Sequence, residues 1–458
     1  MYSNSTPVRI LFALLFLGTT LTSAYAQQWT SLFDGKTLKG WKQLNGQAKY
    51  EVKDGVIIGT AVPNTPNSFL TTEKDYGDFI FECELNVDEG LNSGIQIRSL
   101  SKPDYQNGRV HGYQVEVDAT DRGYSGGIYD EARRGWLYIN DLNEPAKKAF
   151  KRNNQWNKYR IEAIGTSLRT FVNGVEVAHV IDDMTASGFI CLQVHSIRSK
   201  EDEGKQIRWR NVRIQTTNLK PSPVGNIRVE NYLANHLSDT EKGQGWKLLF
   251  DGKSLENFRV VNSTETPTKR WKVEDGTVMV SKSDGSETGN DILTREEFKA
   301  FELSFDFQLS EGANSGVKYF INEKYDTKGK SGIGLEFQVL DDDKHPDAKM
   351  GVVGNRTIGS LYDLIPADKA NKRDIKRPIG NWNKGRVVVY PDNTVEHYLN
   401  GHRVVAYRRG DNIYKALVAR SKYKDWENFG MGEKGPILLQ DHGDTVKFRS
   451  LKIRELSK

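Results

Sequence analysis

Three short stretches carry the residues best suited to moving protons. Along Tyr113-Gln-Val-Glu-Val-Asp118, the polar Gln114, Glu116 and Asp118 alternate with Val115 and Val117. Gln96 and Arg98 alternate with Ile95 and Ile97, and Gln193 and His195 with Leu192 and Val194. An extended chain sends successive side chains to opposite faces, so each stretch reads as a strand with one apolar face and one chemically capable face. If these strands neighbour one another at about 4.8 Å, their polar groups converge on one small ligand. His195 is then the base, because imidazole titrates closest to neutrality. Glu116 or Asp118 would orient it or serve as the acid, and Arg98 would hold a developing anion. Taken singly, each stretch also describes an ordinary solvated strand face.

The arrangement returns further along the chain. Glu336 and Gln338 stand where the first stretch has Gln114 and Glu116, and Gln440 and His442 where the first has Gln193 and His195. Other landmarks recur in the same order: Leu-Phe-Asp-Gly-Lys at 32–36 and 249–253, Asn-Ser-Gly at 92–94 and 314–316, Trp-Asn-Lys at 156–158 and 382–384. Val172-Asn-Gly-Val175 likewise returns as Leu399-Asn-Gly-His402. The separation grows from 217 residues at Asp34 and Asp251 to 247 at His195 and His442, with the largest insertion at about 411–434. A period of this length means a duplicated domain and not a solenoid unit.

The copies differ where binding is concentrated. The segment 126–136 sets Tyr129, Glu131, Arg133, Arg134 and Trp136 between glycines, a mixture of aromatic platform, carboxylate and bidentate cation suited to a sugar. Its counterpart, 358–366, keeps Tyr362 and Asp363 but has neither the arginines nor the tryptophan, and Phe320 replaces Arg98. The two copies should therefore differ in ligand or in activity.

Positioning such faces requires paired strands, and the chain has the composition for them. Its 458 residues are 37% hydrophobic, with 9 Trp, 19 Tyr and 19 Phe, which is ample for packed cores and excludes wholesale disorder. The net charge of +5 comes from interleaved acids and bases, not the clustered basic face of a nucleic-acid binder. Period-two alternation dominates, and Asn-Gly at 173–174 and 400–401 and Asp-Gly at 54–55 and 275–276 mark hairpin turns. Helical periodicity is confined to 145–150, its counterpart near 367–372, and a short linker segment at 231–237. The expected fold is all-β: two jelly-roll β-sandwich domains in tandem, at 28–217 and 245–457, joined by a Pro-punctuated linker at 218–244.

Residues 1–26 read as a signal peptide: Arg9, an apolar run too short to span a bilayer, and Ala24-Tyr25-Ala26 before Gln27. The expectation is an exported protein, periplasmic or secreted, without membrane insertion and with its oligomeric state open. Cys83 and Cys191 are expected to stay unpaired, as small core residues. No CxxC, HExxH, Walker loop, dinucleotide turn or GxSxG elbow is present, and nothing requires a cofactor. A divalent metal at the acidic run 341–345, or at Glu116 and Asp118, remains open.

Leu-Phe-Asp-Gly-Lys, Asn-Ser-Gly, Gly-Leu-Glu-Phe-Gln-Val-Leu-Asp at 334–341 and Gly-Pro-Ile-Leu-Leu-Gln-Asp-His-Gly at 435–443 together resemble the 3-keto-disaccharide hydrolase domain family. The first copy resembles it through His111-Gly-Tyr-Gln-Val-Glu-Val-Asp118, the 129–136 loop and Leu192-Gln-Val-His195. The resemblance implies a concanavalin-like jelly roll, export from a bacterium, and action on glycosides already oxidised to a ketone at C3. Such a substrate suits abstraction of the C2 proton, β-elimination and hydration, with His195 as base and Arg98, Arg133 or Arg134 holding the enolate. His442, Glu336 and Gln338 would act in parallel. A conventional glycosidase using two carboxylates such as Glu116 and Glu131, or a tandem carbohydrate-binding protein without catalysis, are the other expectations.

Overall fold

The computed structural model describes residues 29–141, 143–283, 290–325, 331–370 and 375–457; the segment 1–26 read as a signal peptide and residues 371–372 lie outside them, and 367–370, expected to be helical, are not. The chain folds as two concanavalin-like jelly-roll sandwiches. Among the described residues, the first packs a nine-stranded sheet against a seven-stranded one, and the second an eight-stranded sheet against a five-stranded one. Each has its own apolar core, with Ile95, Ile97, Val115, Val117, Leu192 and Val194 inside the first. The alternation therefore sorts these faces as the sequence implies.

The punctuation also behaves as its chemistry demands. Asn173-Gly174 and Asn400-Gly401 both take positive φ at two successive residues and close tight hairpins, as do Asp54-Gly55 and Asp275-Gly276. Cys83 and Cys191 are buried and unpaired; Cys83 packs in the main core, whereas Cys191 lies in a small cluster with Phe69, Val110 and Phe189. The helix expected at 145–150 is the single turn Glu144–Lys147, capped by Asn143. No helix forms at 231–237. The Asn231 side chain instead accepts from Leu233 N and donates to Glu241, chemistry that competes with helix formation. The linker helix falls at Asp239–Gly243, where Ser238 and Glu241 form a capping box.

The linker is built into the fold. Glu230–Asn231 pairs in parallel with Val180 and Ile181 of the first domain. Asn235 donates to Gly276 O at 2.7 Å and accepts from Ser450 N at 2.8 Å in the second, and Glu241 forms a buried ion pair with Lys452. Lys384 of the second domain donates to Asn231 O at 3.1 Å, and Arg377 to Trp136 O of the first at 2.9 Å.

Arg98 corrects the sequence expectation. The register of Asn92–Leu100 against His111–Asp118 shifts between Ile97 and Leu100, and Arg98 takes a φ of 45°. This bulge turns its side chain out of the row begun by Gln96. Only 1% exposed, its guanidinium donates to Gly77 O at 2.8 Å, Gly165 O at 2.7 Å and Asp78 Oδ1 at 3.0 Å. Arg98 thus fastens the seven-stranded sheet to the rim of its partner. Arg98→Ala should lower the unfolding free energy by about 3 kcal/mol by stranding these acceptors, and Arg98→Lys by less. Urea titration tests this, and an unchanged midpoint for the alanine variant would contradict the clamp.

Candidate functional site

The Asn-Ser-Gly triplet shows how the first domain assembles its polar face. Asn92–Leu100 lies between His111–Asp118 and Phe189–Val194, with Gly94 opposite Glu116 and Gln96 opposite Gln114. A Cβ on Gly94 would meet the Gln114 side chain at 2.5 Å, so the glycine clears the lane that Gln114 occupies. Ser93 donates from its hydroxyl to Gln193 O at 2.7 Å, tying the third strand in. Asn92 Nδ2 donates to Glu116 Oε1 at 2.5 Å.

The amides then form a ladder. Gln114 Oε1 accepts from Gln96 Nε2 at 2.7 Å and from Gln193 Nε2 at 2.8 Å, while Gln114 Nε2 donates to Glu116 Oε2 at 3.1 Å. Gln96 and Gln193 are fully buried and hold Gln114 in place without reaching the cleft themselves, contrary to the binding role the sequence suggested. Because an amide has fixed donor and acceptor ends, the ladder sets which face of Gln114 meets the carboxylate.

Glu116 is 4% exposed. Burial pushes its carboxyl up to about 7, with Asp118 nearby adding to the rise and Asn92, Arg122 and Gln114 opposing it. Burial also disfavours the charged form of Asp118, but Arg122 and Thr120 outweigh it and keep that carboxyl below its ordinary value. The loop residue Arg122 joins the two, with Nε 2.8 Å from Asp118 Oδ2 and Nη2 3.4 Å from Glu116 Oε1. Two carboxylates two residues apart are thereby driven towards different protonation states. His195 places Nδ1 2.7 Å from Ser196 O. A carbonyl only accepts, so Nδ1 is the donor, and in the neutral ring the lone pair is on Nε2.

These groups line a cleft of about 990 Å³. Gln114, Glu116, Asp118, Tyr129, Glu131, Trp136 and His195 line it, together with Asn92, Arg109, Arg122 and Tyr124, which sequence reasoning missed. Trp136 stands edge-on between Tyr124 and Tyr129, with centroids 5.1 and 5.2 Å away, and makes an apolar wall. Arg133 and Arg134 do not line this cleft. They converge on fully buried Asp130, Arg134 also reaching Asp182 at 2.6 Å and Arg133 reaching Thr185 at 2.7 Å, beside a separate cavity between the domains. A buried carboxylate needs such neutralisation, and these cations are committed to it.

The second domain repeats the framework with altered chemistry. Gly316 again lies opposite the second polar position, now Gln338, while Glu336 lies opposite Lys318. Lys318 Nζ lies 3.9 Å from Glu336 and 3.8 Å from buried Asp291. Glu336, Gln338, Tyr362, Gln440 and His442 all line this cleft, but its volume is only about 140 Å³. The insertion explains the difference: after the helix Asn412–Ala419, Lys422, Tyr423 and Trp426 fold over the opening.

The acidic run at 341–345 does not form a cage. Asp341 accepts from Gly312 N, Asp342 pairs with Lys369, and Asp343 pairs with Lys376. His345 instead meets His442 and Asp444, with ligand atoms within 4.8 Å of one another, a set able to hold a transition-metal ion. Asp118, the other metal candidate, is held by Arg122 and Thr120.

Comparison with known proteins fits this duplication. A family model described as the 3-keto-alpha-glucoside-1,2-lyase-like domain matches residues 28–215 and again 245–454. A 3-keto-disaccharide hydrolase from Bacteroides thetaiotaomicron is 34% identical over 235 residues, covering 46% of this chain and 79% of that protein. A crystal structure from Parabacteroides distasonis, provisionally described as a glycosyl hydrolase, is 29% identical and covers 49% of this chain and all of its own, with a TM-score of 0.43. A second from the same organism, with the same provisional description, is 27% identical over 46% of this chain and 99% of that one, with a TM-score of 0.33.

Two variants test the cleft. Gly94→Ala should displace Gln114, weaken whatever the cleft does and lower the melting temperature by several degrees, because the clash falls on a buried side chain whose loss from the ladder strands the Gln96 and Gln193 amides. Glu116 is raised in the folded state, so the stability it contributes is full below its unfolded pKa and is lost as pH rises through about 7. Glu116→Gln should match the parent at pH 4 and exceed its stability at pH 8.5 by up to about 3 kcal/mol. Equal stabilities at both pH values would refute the raised carboxyl.

Proposed function

The chain belongs to the 3-keto-alpha-glucoside-1,2-lyase-like domain family, and we propose that its first cleft cleaves glycosides carrying a ketone at C3. It is a glycoside-hydrolase-like protein whose substrate is a carbohydrate. The observation that carries the finer reading is Glu116, a buried carboxyl with a pKa near neutrality, lining one cleft with a histidine whose Nε2 is free to accept a proton. Such a pair can take up and release protons at pH 7. The name of the Bacteroides relative supports the same substrate class.

The C3 ketone acidifies the hydrogen on C2, and His195 Nε2 removes it. The electron pair passes to the ketone oxygen as an enolate, for which Arg122 supplies positive charge within the cleft. The enolate then collapses, forming the C1–C2 double bond and breaking the bond from C1 to the aglycone oxygen, which takes its proton from Glu116. In the second half, ionised Glu116 accepts a proton from water as that water adds to C1, and His195 returns its proton to C2. The net change is hydrolysis. The ladder fixes Gln114 against Glu116, and the aromatic wall excludes water from one side of the ring. We assign no turnover to the second cleft, in which Gln338 replaces Glu116 and the volume is far smaller. Export through the segment at 1–26 would place the protein in a periplasm or outside the cell.

The assay compares 4-nitrophenyl 3-keto-glucoside with its unoxidised parent. Nitrophenol should be released from the keto substrate alone, with kcat lowered about 100-fold or more by His195→Ala or Glu116→Gln and unchanged by His442→Ala. Because Glu116 must begin protonated, kcat/KM should fall as pH rises above about 7. Release from the parent would favour the two-carboxylate route. Sugar binding without release from either would leave a tandem binding protein.

A further inference from the structure

The two Asn-Gly hairpins differ in the residue that follows the turn. In the first domain it is Val175, which packs against that domain's own core. In the second it is His402, the first residue of the strand His402–Arg408. This second hairpin presses on the first domain, where a Cβ on Gly401 would meet Ile139 Cγ1 at 3.4 Å. His402 is 3% exposed, yet it lines the first domain's cleft and not its own.

Its hydrogen bonding is incomplete. Nδ1 faces Asp141 Oδ2 at 3.7 Å, and Nε2 has no hydrogen-bond partner among the described residues. Burying an imidazole with Nε2 unspent is costly unless water or a ligand entering the cleft engages it. Asp141 keeps the ring facing a carboxylate, and Tyr124 stands beside it in the cleft wall.

We propose that the second domain completes the first domain's cleft, with His402 hydrogen-bonding a hydroxyl of the second sugar unit and so favouring disaccharides over simple aryl glycosides. This rests on the function proposed above and names the substrate class of the same site. It also gives the duplicated domain a role that needs no turnover of its own: it supplies a specificity residue that a single copy lacks.

The test uses the full chain with two kinds of substrate, the 3-keto derivatives of maltose and cellobiose and 4-nitrophenyl 3-keto-glucoside. His402→Ala should raise KM at least fivefold for a keto-disaccharide while kcat stays within twofold, with the aryl substrate unaffected. His402→Gln, which retains a donor, should recover most of the loss. Equal effects on both substrate types, or none on either, would overturn the proposal. A direct readout separates it from the catalytic reading. In protein labelled with ¹⁵N-histidine, the ring signals of His402 should move when a keto-disaccharide is added. Movement without any wild-type turnover would sink the elimination chemistry and keep the composite cleft, whereas turnover without movement would do the reverse.

Discussion

A carboxylate taken out of water must either be neutralised by a fixed cation or hold its proton more tightly, and both solutions occur in these two domains. Asp130 is fully buried and is met by two arginines, which commits them to structure. Glu116 is nearly as buried but faces amides and one half-exposed arginine, so its proton stays within reach of neutral pH. The neighbouring features follow from that requirement. Asn92 and Gln114 must reach Glu116, Gln96 and Gln193 must hold Gln114, and Gly94 must leave space for the crossing. Asn92, Ser93 and Gly94 together therefore keep one carboxyl protonatable without dissolving the sheet.

The second domain reaches a different solution on the same frame. Exchanging the acid and the amide moves the negative charge one step along the strand, opposite Lys318, and the insertion brings aromatic residues over the mouth. The bulge of the first domain is also kept, with Phe320 at a φ of 52°. There the guanidinium comes from elsewhere. Arg409 lies 3.6 Å from the Phe320 ring and bonds Asn393 in the turn after Trp382–Val389, the counterpart of the turn at Gly165 that Arg98 holds. Its other two bonds go to Gly430 O and Gly432 O of the insertion, so this guanidinium also ties down the segment that narrows the second cleft.

Much of this is legible in the sequence. Period-two alternation sorted Val115, Val117, Leu192 and Val194 from Gln114, Glu116, Gln193 and His195, because the face of a strand residue is a matter of counting. Counting fails at a bulge, which is why Arg98 was placed in the cleft and is not there. Arg133 and Arg134 were misread for another reason: their chemistry suits a sugar, but buried Asp130 claims them, and burial of a single aspartate has no signature in composition. Arg122 lies in a loop without periodicity, and His402 reaches the cleft only through the docking of one domain on the other. Neither local pattern nor spacing reports such contacts.

The linker has a consequence for the first cleft. Pairing of Glu230–Asn231 with the first sandwich and anchoring of Asn235 and Glu241 to the second leave little slack between the two domains. A loosely tethered pair of binding modules samples many separations and gains effective concentration across a range of them. Two domains clamped in this way keep one separation, so whatever the second contributes to the wall of the first cleft, as His402 does, is in place before a ligand arrives.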